Sequence, residues 1–139
     1  MPSTYAIHAH RGLCIIRHAG HATLAEAQAS LAAFSADREF DPAHNHLVDM
    51  GDLLSFEEDL VGLLDLQARV VSEITSKGPR ILVVFYAPNE VARRLTRLVR
   101  NIWDGLDQVV MREAETEACA LAILGQPERR ITDLARVAG

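Results

Sequence analysis

The fold turns on Asn45-His46-Leu47-Val48-Asp49-Met50-Gly51-Asp52-Leu53-Leu54-Ser55-Phe56-Glu57-Glu58. Leu47-Val48 is a short apolar run between polar residues, the pattern of a strand buried on both faces. Asp49 to Leu54 reads as a connection carrying two carboxylates and a glycine. Ser55 with Glu58 three residues on has the form of a capping box, so a helix is expected to open at Ser55. In an open α/β sheet, ligands and partners dock at the carboxyl ends of the strands. Asp49, Asp52 and Ser55 are therefore the candidate contact residues.

Working outward, the helix from Ser55 has a broad apolar face in Leu60, Leu63, Leu64, Val70, Val71 and Ile74, and Lys77-Gly78 is its expected stop. Arg80–Tyr86, R-I-L-V-V-F-Y, is the clearest strand of the chain, and its two apolar faces require cover on both sides. Pro88 ends it. Asn89 caps a third helix with Val91, Leu95, Leu98 and Ile102 as its expected stripe. Gln108–Arg112 is a short strand, and Glu117–Leu124 is a helix closed by Gly125. Toward the N-terminus, Tyr5–His10 and Leu13–Arg17 flank the turn Arg11-Gly12 and form an opening hairpin. Thr23 and Glu26 make a second capping box ahead of Leu24, Ala27, Leu31 and Phe34 at helical spacing. Asp41-Pro42 marks a break, because the residue before proline avoids the α region.

The order is β-β-α-β-α-β-α-β-α. Such alternation implies right-handed crossovers and a mostly parallel sheet, with the hairpin as the antiparallel exception. At 139 residues the chain is one domain by length. Its net charge of −5 weighs against nucleic acid as a partner. Cys14 and Cys119 lie in apolar surroundings and read as small core residues of a reduced compartment. The N-terminus lacks a charged-then-apolar leader pattern, and no apolar run approaches the ~18 residues of a membrane span, so a cytoplasmic location is expected.

Several residue groups carry chemistry on paper. Ile15-Ile16-Arg17-His18 is similar to a histidine-phosphatase nucleophile strand, but all six histidines lie at or before His46, so the second histidine such enzymes need late in the chain is missing. His8/His10 and His44/His46 are H-x-H pairs, each able to turn two imidazoles to one face of a strand. With the strands stacked in chain order the two pairs stand too far apart for one metal, and no metal is expected. His21, Asp49 and Ser55 could be drawn as a triad, with no nucleophile elbow or oxyanion loop to support it. Arg93, Arg97 and Arg100 are one-turn neighbours with Arg94 beside them. They form either a solvated, acid-paired face or a docking patch for an acidic surface. No G-x-G-x-x-G, P-loop or C-x-x-C is present, so no cofactor is expected.

Four segments together resemble the SpoIIAA-like fold of STAS domains and the related Sec14-like proteins, in particular small bacterial STAS/Sec14-like proteins. They are G-x-x-x-x-x-x-x-G-x-A-T-x-x-E from Gly12 to Glu26, H-L-V-D-M at His46–Met50, Y-A-P at Tyr86–Pro88, and E-T-E-A-x-A-x-x-x-L-G from Glu115 to Gly125. The resemblance implies a four- or five-stranded mostly parallel sheet with about four helices in a domain over residues 1–125. On its own residues, 126–139 reads as a tail in which Ile131, Leu134 and Val137 could form a weak amphipathic turn or two. The resemblance also implies a regulatory domain that binds a protein partner, with Ser55 in the place of the phosphorylated residue of STAS antagonists. On its own residues, Ser55 reads as a plain cap. A homodimer, and a lipid or other apolar molecule held between helices and sheet as in Sec14-like proteins, are the alternatives. The leading expectation is a non-enzymatic binding domain.

Overall fold

The computed structural model describes residues 3–75 and 79–137. The expected helix stop at Lys77-Gly78 lies outside the described residues, as do the side chains of Ile74 and Val137. The described chain runs β1 (Ser3–His8), β2 (Leu13–His18), β3 (Gly20–Ala22), α1 (Leu24–Ser35), β4 (Asn45–Asp49), β5 (Leu53–Phe56), α2 (Leu60–Thr75), β6 (Ile81–Tyr86), α3 (Glu90–Ile102), β7 (Val109–Ala114), α4 (Glu117–Ile123) and α5 (Ile131–Val137).

Five strands form one sheet in the order β1-β2-β4-β6-β7. β1 is antiparallel to β2, and each later neighbour is parallel. The hairpin turns through a short 3-10 segment, Ala9–Arg11, and Gly12 at φ +63°, a conformation that glycine adopts without a Cβ clash. The α/β expectation and the mostly parallel sheet are therefore both observed.

Alternation along each strand builds two cores. Cys14, Val83, Phe85 and Val109 point to the face covered by α1, α2 and α3. Leu13, Ile15, Leu47, Val84 and Ala114 point to the other, beneath Leu121 of α4 and Leu134 of α5. Val83 is 4% exposed and Val84 0%, one on each side of β6. The segment after Gly125 is docked. Leu134 is fully buried, and the Arg11 guanidinium donates to both carboxylate oxygens of Glu128 at 2.9 Å and to Gln126 Oε1 at 2.8 Å.

The structure corrects the start of the second long helix. Ser55 does not open it. Ser55 lies in β5, which pairs in parallel with β3 as a separate two-stranded ribbon. Leu53 and Phe56 of β5 are buried, which holds that segment extended. Asp59 is the actual cap: its Oδ1 accepts the Gly62 N–H at 3.1 Å and its carbonyl accepts the Leu63 N–H at 2.8 Å. The other expected caps form, with Thr23 and Asn89 each accepting an N–H three residues on. Thr116, which the sequence reading did not single out, caps α4 in the same way. Cys14 is buried as expected, whereas Cys119 is exposed on α4, because the side of that helix meeting the sheet is Ala120-Leu121-Leu124. Among the described residues no helix is long and apolar enough to cross a membrane.

Val84→Asp places an unpaired charge between β6 and the α4–α5 layer. That costs several kcal/mol, of the order of the ~5–15 kcal/mol that holds a domain together. The variant should give no cooperative melting transition by circular dichroism. A folded, cooperatively melting Val84→Asp protein would mean that β6 is not the shared wall of the two cores.

Candidate functional site

The sequence-derived candidates separate into three places. Asp49 ends β4, half-buried, and its Oδ1 accepts the Gly51 N–H at 3.0 Å. Burial raises the pKa of its carboxyl group above the ordinary value, against the Gly51 hydrogen bond and the Arg17 guanidinium 3.9 Å away, which both act to lower it. Asp52 is exposed and pairs with the same Arg17. Ser55 turns elsewhere, its Oγ 2.7 Å from Nδ1 of His21. Arg17 thus joins two of the candidate residues, and the His21–Ser55 pair forms a separate contact on the ribbon.

The arginines of α3 are held by acids. Arg93 and Arg97 both pair with Glu90, at 3.4 and 3.2 Å, and Arg100 lies 3.8 Å from Glu113. Arg94 pairs with Glu58 and stacks 4.9 Å above the Phe56 ring. Each of the four arginines thus has an acid beside it. Arg17 and His18 are consecutive on β2 and so face opposite sides of the sheet. Arg17 goes to the aspartates, and His18 lies half-buried with Nδ1 2.9 Å from Ser3 Oγ.

A feature that no motif announced lies between the sheet and α1, α2 and α3. It is a cavity of about 160 Å³. The strands supply Ile16, Val48, Val83 and Phe85 as its floor, and the helices supply Leu31, Leu66, Val70 and Val99 as its walls. Trp103 closes one side, fixed by its indole N–H donating to Gln67 Oε1 at 2.8 Å. Thr96 also borders the cavity, its hydroxyl donating to the Ala92 carbonyl at 2.8 Å. Glu57, an exposed residue whose carboxylate accepts the Leu24 N–H, stands at the margin. The expected stripe of α3 is displaced by one residue. Val91, Leu95, Leu98 and Ile102 are half-buried, and the deeply buried line is Ala92, Thr96, Val99 and Trp103.

Two imidazoles border the same cavity, His18 and His46. His46 is 3% exposed, and its ring meets Phe34 edge-on at 5.7 Å. Its Nε2 is buried, and among the described residues its imidazole has no hydrogen-bond partner. Burial disfavours the charged form and pushes both histidines down to about 4. The other members of the H-x-H pairs lie apart from this space. His44 sits 3.6 Å from the Cys14 thiol, which burial pushes up to about 12, and His10 is exposed. Among the described residues no group of three or more His, Cys, Asp or Glu stands ready for a metal ion. The sequence signals that touched these two residues were the H-x-H spacing for His46 and the Arg17-His18 strand end for His18, and neither pattern shows the floor of the cavity.

No family model matches the chain, nor does any curated protein or solved structure.

The histidines give a pH dependence with a definite sign. A folded pKa of about 4 against an ordinary 6.5 means that the unfolded chain takes up the proton first as pH falls. Stability should therefore be unaffected by His46 above pH 6.5 and should drop by about 1.4 kcal/mol per unit as pH falls toward 4. In His46→Leu this contribution is absent, so the gap between the urea-unfolding free energies of the two proteins should change by about that slope between pH 6.5 and 5. Parallel curves would show that His46 is not held uncharged by burial.

Proposed function

We propose that this chain is a non-catalytic binding domain that takes a small apolar molecule between its sheet and helices α1, α2 and α3. The cavity bordered by Phe34, His46, Phe85 and Trp103 is the observation that carries the reading. Close-packed interiors leave few voids larger than a water molecule, and each void of this kind forfeits dispersion contacts. At about 160 Å³ it lies below the ~300–1,000 Å³ typical of drug-sized sites, so the occupant is small. Membership of the SpoIIAA-like group, with the Sec14-like alternative of an apolar ligand under the helices, is part of the same proposal. The element order and the two helical layers support it.

Toluene, a simple apolar probe, should raise the melting temperature with the logarithm of its concentration above Kd, reaching ~2.7 kcal/mol of added stability at a hundredfold excess. Ala27→Phe, which fills the space from α1, should abolish the shift. An unchanged melting temperature in toluene-saturated buffer would remove the reading.

A second reading, contact with a protein partner, is favoured by the surface beside the first. Leu54, Leu60, Val61 and Leu64 are 76%, 58%, 77% and 46% exposed, all at the junction of β5 and α2 that follows Asp49 and Asp52. Apolar side chains gathered on a surface mark contact sites. A second copy of the chain is the simplest occupant. Sedimentation should show concentration-dependent association that disappears in a Leu60→Asp, Val61→Asp double variant, and a monomer at every concentration would exclude self-association through this surface.

A further inference from the structure

We propose that the cavity selects a neutral, single-ring aromatic molecule carrying one hydroxyl or ring N–H, and that this donor pairs with the imidazole of His46. The inference rests on the ligand-binding reading above and names the chemical class of the ligand. Size comes first. A purely apolar engineered cavity of ~150 Å³ accepts benzene, and this one measures about 160 Å³. A long acyl chain needs several times that space.

The lining points to a ring. Tyr5, Phe34, Phe56, Phe85 and Trp103 border the cavity, five of the seven aromatic residues in the chain. Phe34 already meets Tyr5, Phe40 and His46 edge-to-face, with centroids 5.4, 5.1 and 5.7 Å apart. A flat ligand extends that arrangement in the geometry aromatic pairs prefer.

Charge is next. No lysine or arginine borders the cavity among the described residues, and the one acid there, Glu57, stands at the margin. A carboxylate or phosphate would be desolvated with no cation to meet it, which excludes an anionic ligand.

Among the deeply buried polar side chains that border the cavity, His46 then stands out. Thr96 is satisfied by the Ala92 carbonyl, Trp103 by Gln67, and His18 by Ser3. His46 has no partner, although a buried polar group without one is costly. Held uncharged by burial, its imidazole keeps one nitrogen as an acceptor, and a hydroxyl or N–H on the ligand supplies the missing donor.

The test compares phenol, toluene and benzoate by titration calorimetry on the wild-type chain, His46→Leu and His46→Gln. One hydrogen bond to a buried acceptor corresponds to a five- to tenfold change in affinity. His46→Leu should weaken phenol by about that factor and leave toluene unchanged, while His46→Gln, which keeps a hydrogen-bonding group, should retain most of the phenol affinity. Benzoate should not bind. A phenol-to-toluene ratio that is the same in all three proteins would overturn the pairing with His46 and leave the cavity reading standing. Benzoate binding as tightly as phenol would overturn the neutral class. Failure of both phenol and toluene to bind the wild-type chain would overturn the cavity reading itself, and this inference with it.

Discussion

Strand β6 has no polar face. Val83 and Phe85 pack toward α1, α2 and α3, and Val84 packs toward α4 and α5. A strand of this kind is stable only when both faces are removed from water, so helices are needed above and below the sheet. The parallel neighbours follow from the same constraint. β4 and β7 flank β6, and each parallel connection must travel back across a face of the sheet, which lays α2 and α3 on the same side as α1. The opposite face is left to the chain beyond β7, and α4 and α5 supply its cover.

The two faces are filled differently. The α4–α5 face is a plain aliphatic contact around Val84, Leu121 and Leu134. The other face lies under three helices and holds a cavity bordered by five aromatic rings and two histidines, and it does not close completely. Polar groups there are matched one to one, Gln67 with Trp103 and Thr96 with Ala92. His46 falls outside that matching, so a polar group without a partner borders the unfilled space.

Much of this could be read from the chain. Arg80–Tyr86 and Leu47-Val48 were legible as strands because an uninterrupted apolar run has few other soluble solutions, and Thr23 and Asn89 were legible as caps because their hydroxyl and amide need only local partners. Ser55 failed by the same local logic. Its spacing to Glu58 satisfies the capping pattern, but Leu53 and Phe56 are anchored in the core, which keeps the segment extended until Asp59. The stripe of α3 was misjudged by one residue because aliphatic residues were preferred over Thr96, whose hydroxyl is satisfied within its own helix. The cavity was illegible in principle. Leucine and valine at helical spacing look alike whether they meet or stop an ångström or two short of meeting, and the Gln67–Trp103 bond joins residues 36 positions apart that no local pattern connects.

The Arg11 clamp joins the opening hairpin to a residue 117 positions away. Bringing such distant points together early would exact most of the chain-closure entropy before any compensating contact existed. The clamp is therefore expected to form late in folding, after the sheet has already shortened the distance. In the native state it is also the seam along which the α4–α5 layer would lift away from the sheet while β4 and β6 stayed paired, and amide protons of α5 are placed to exchange through that partial opening before those of the central strands.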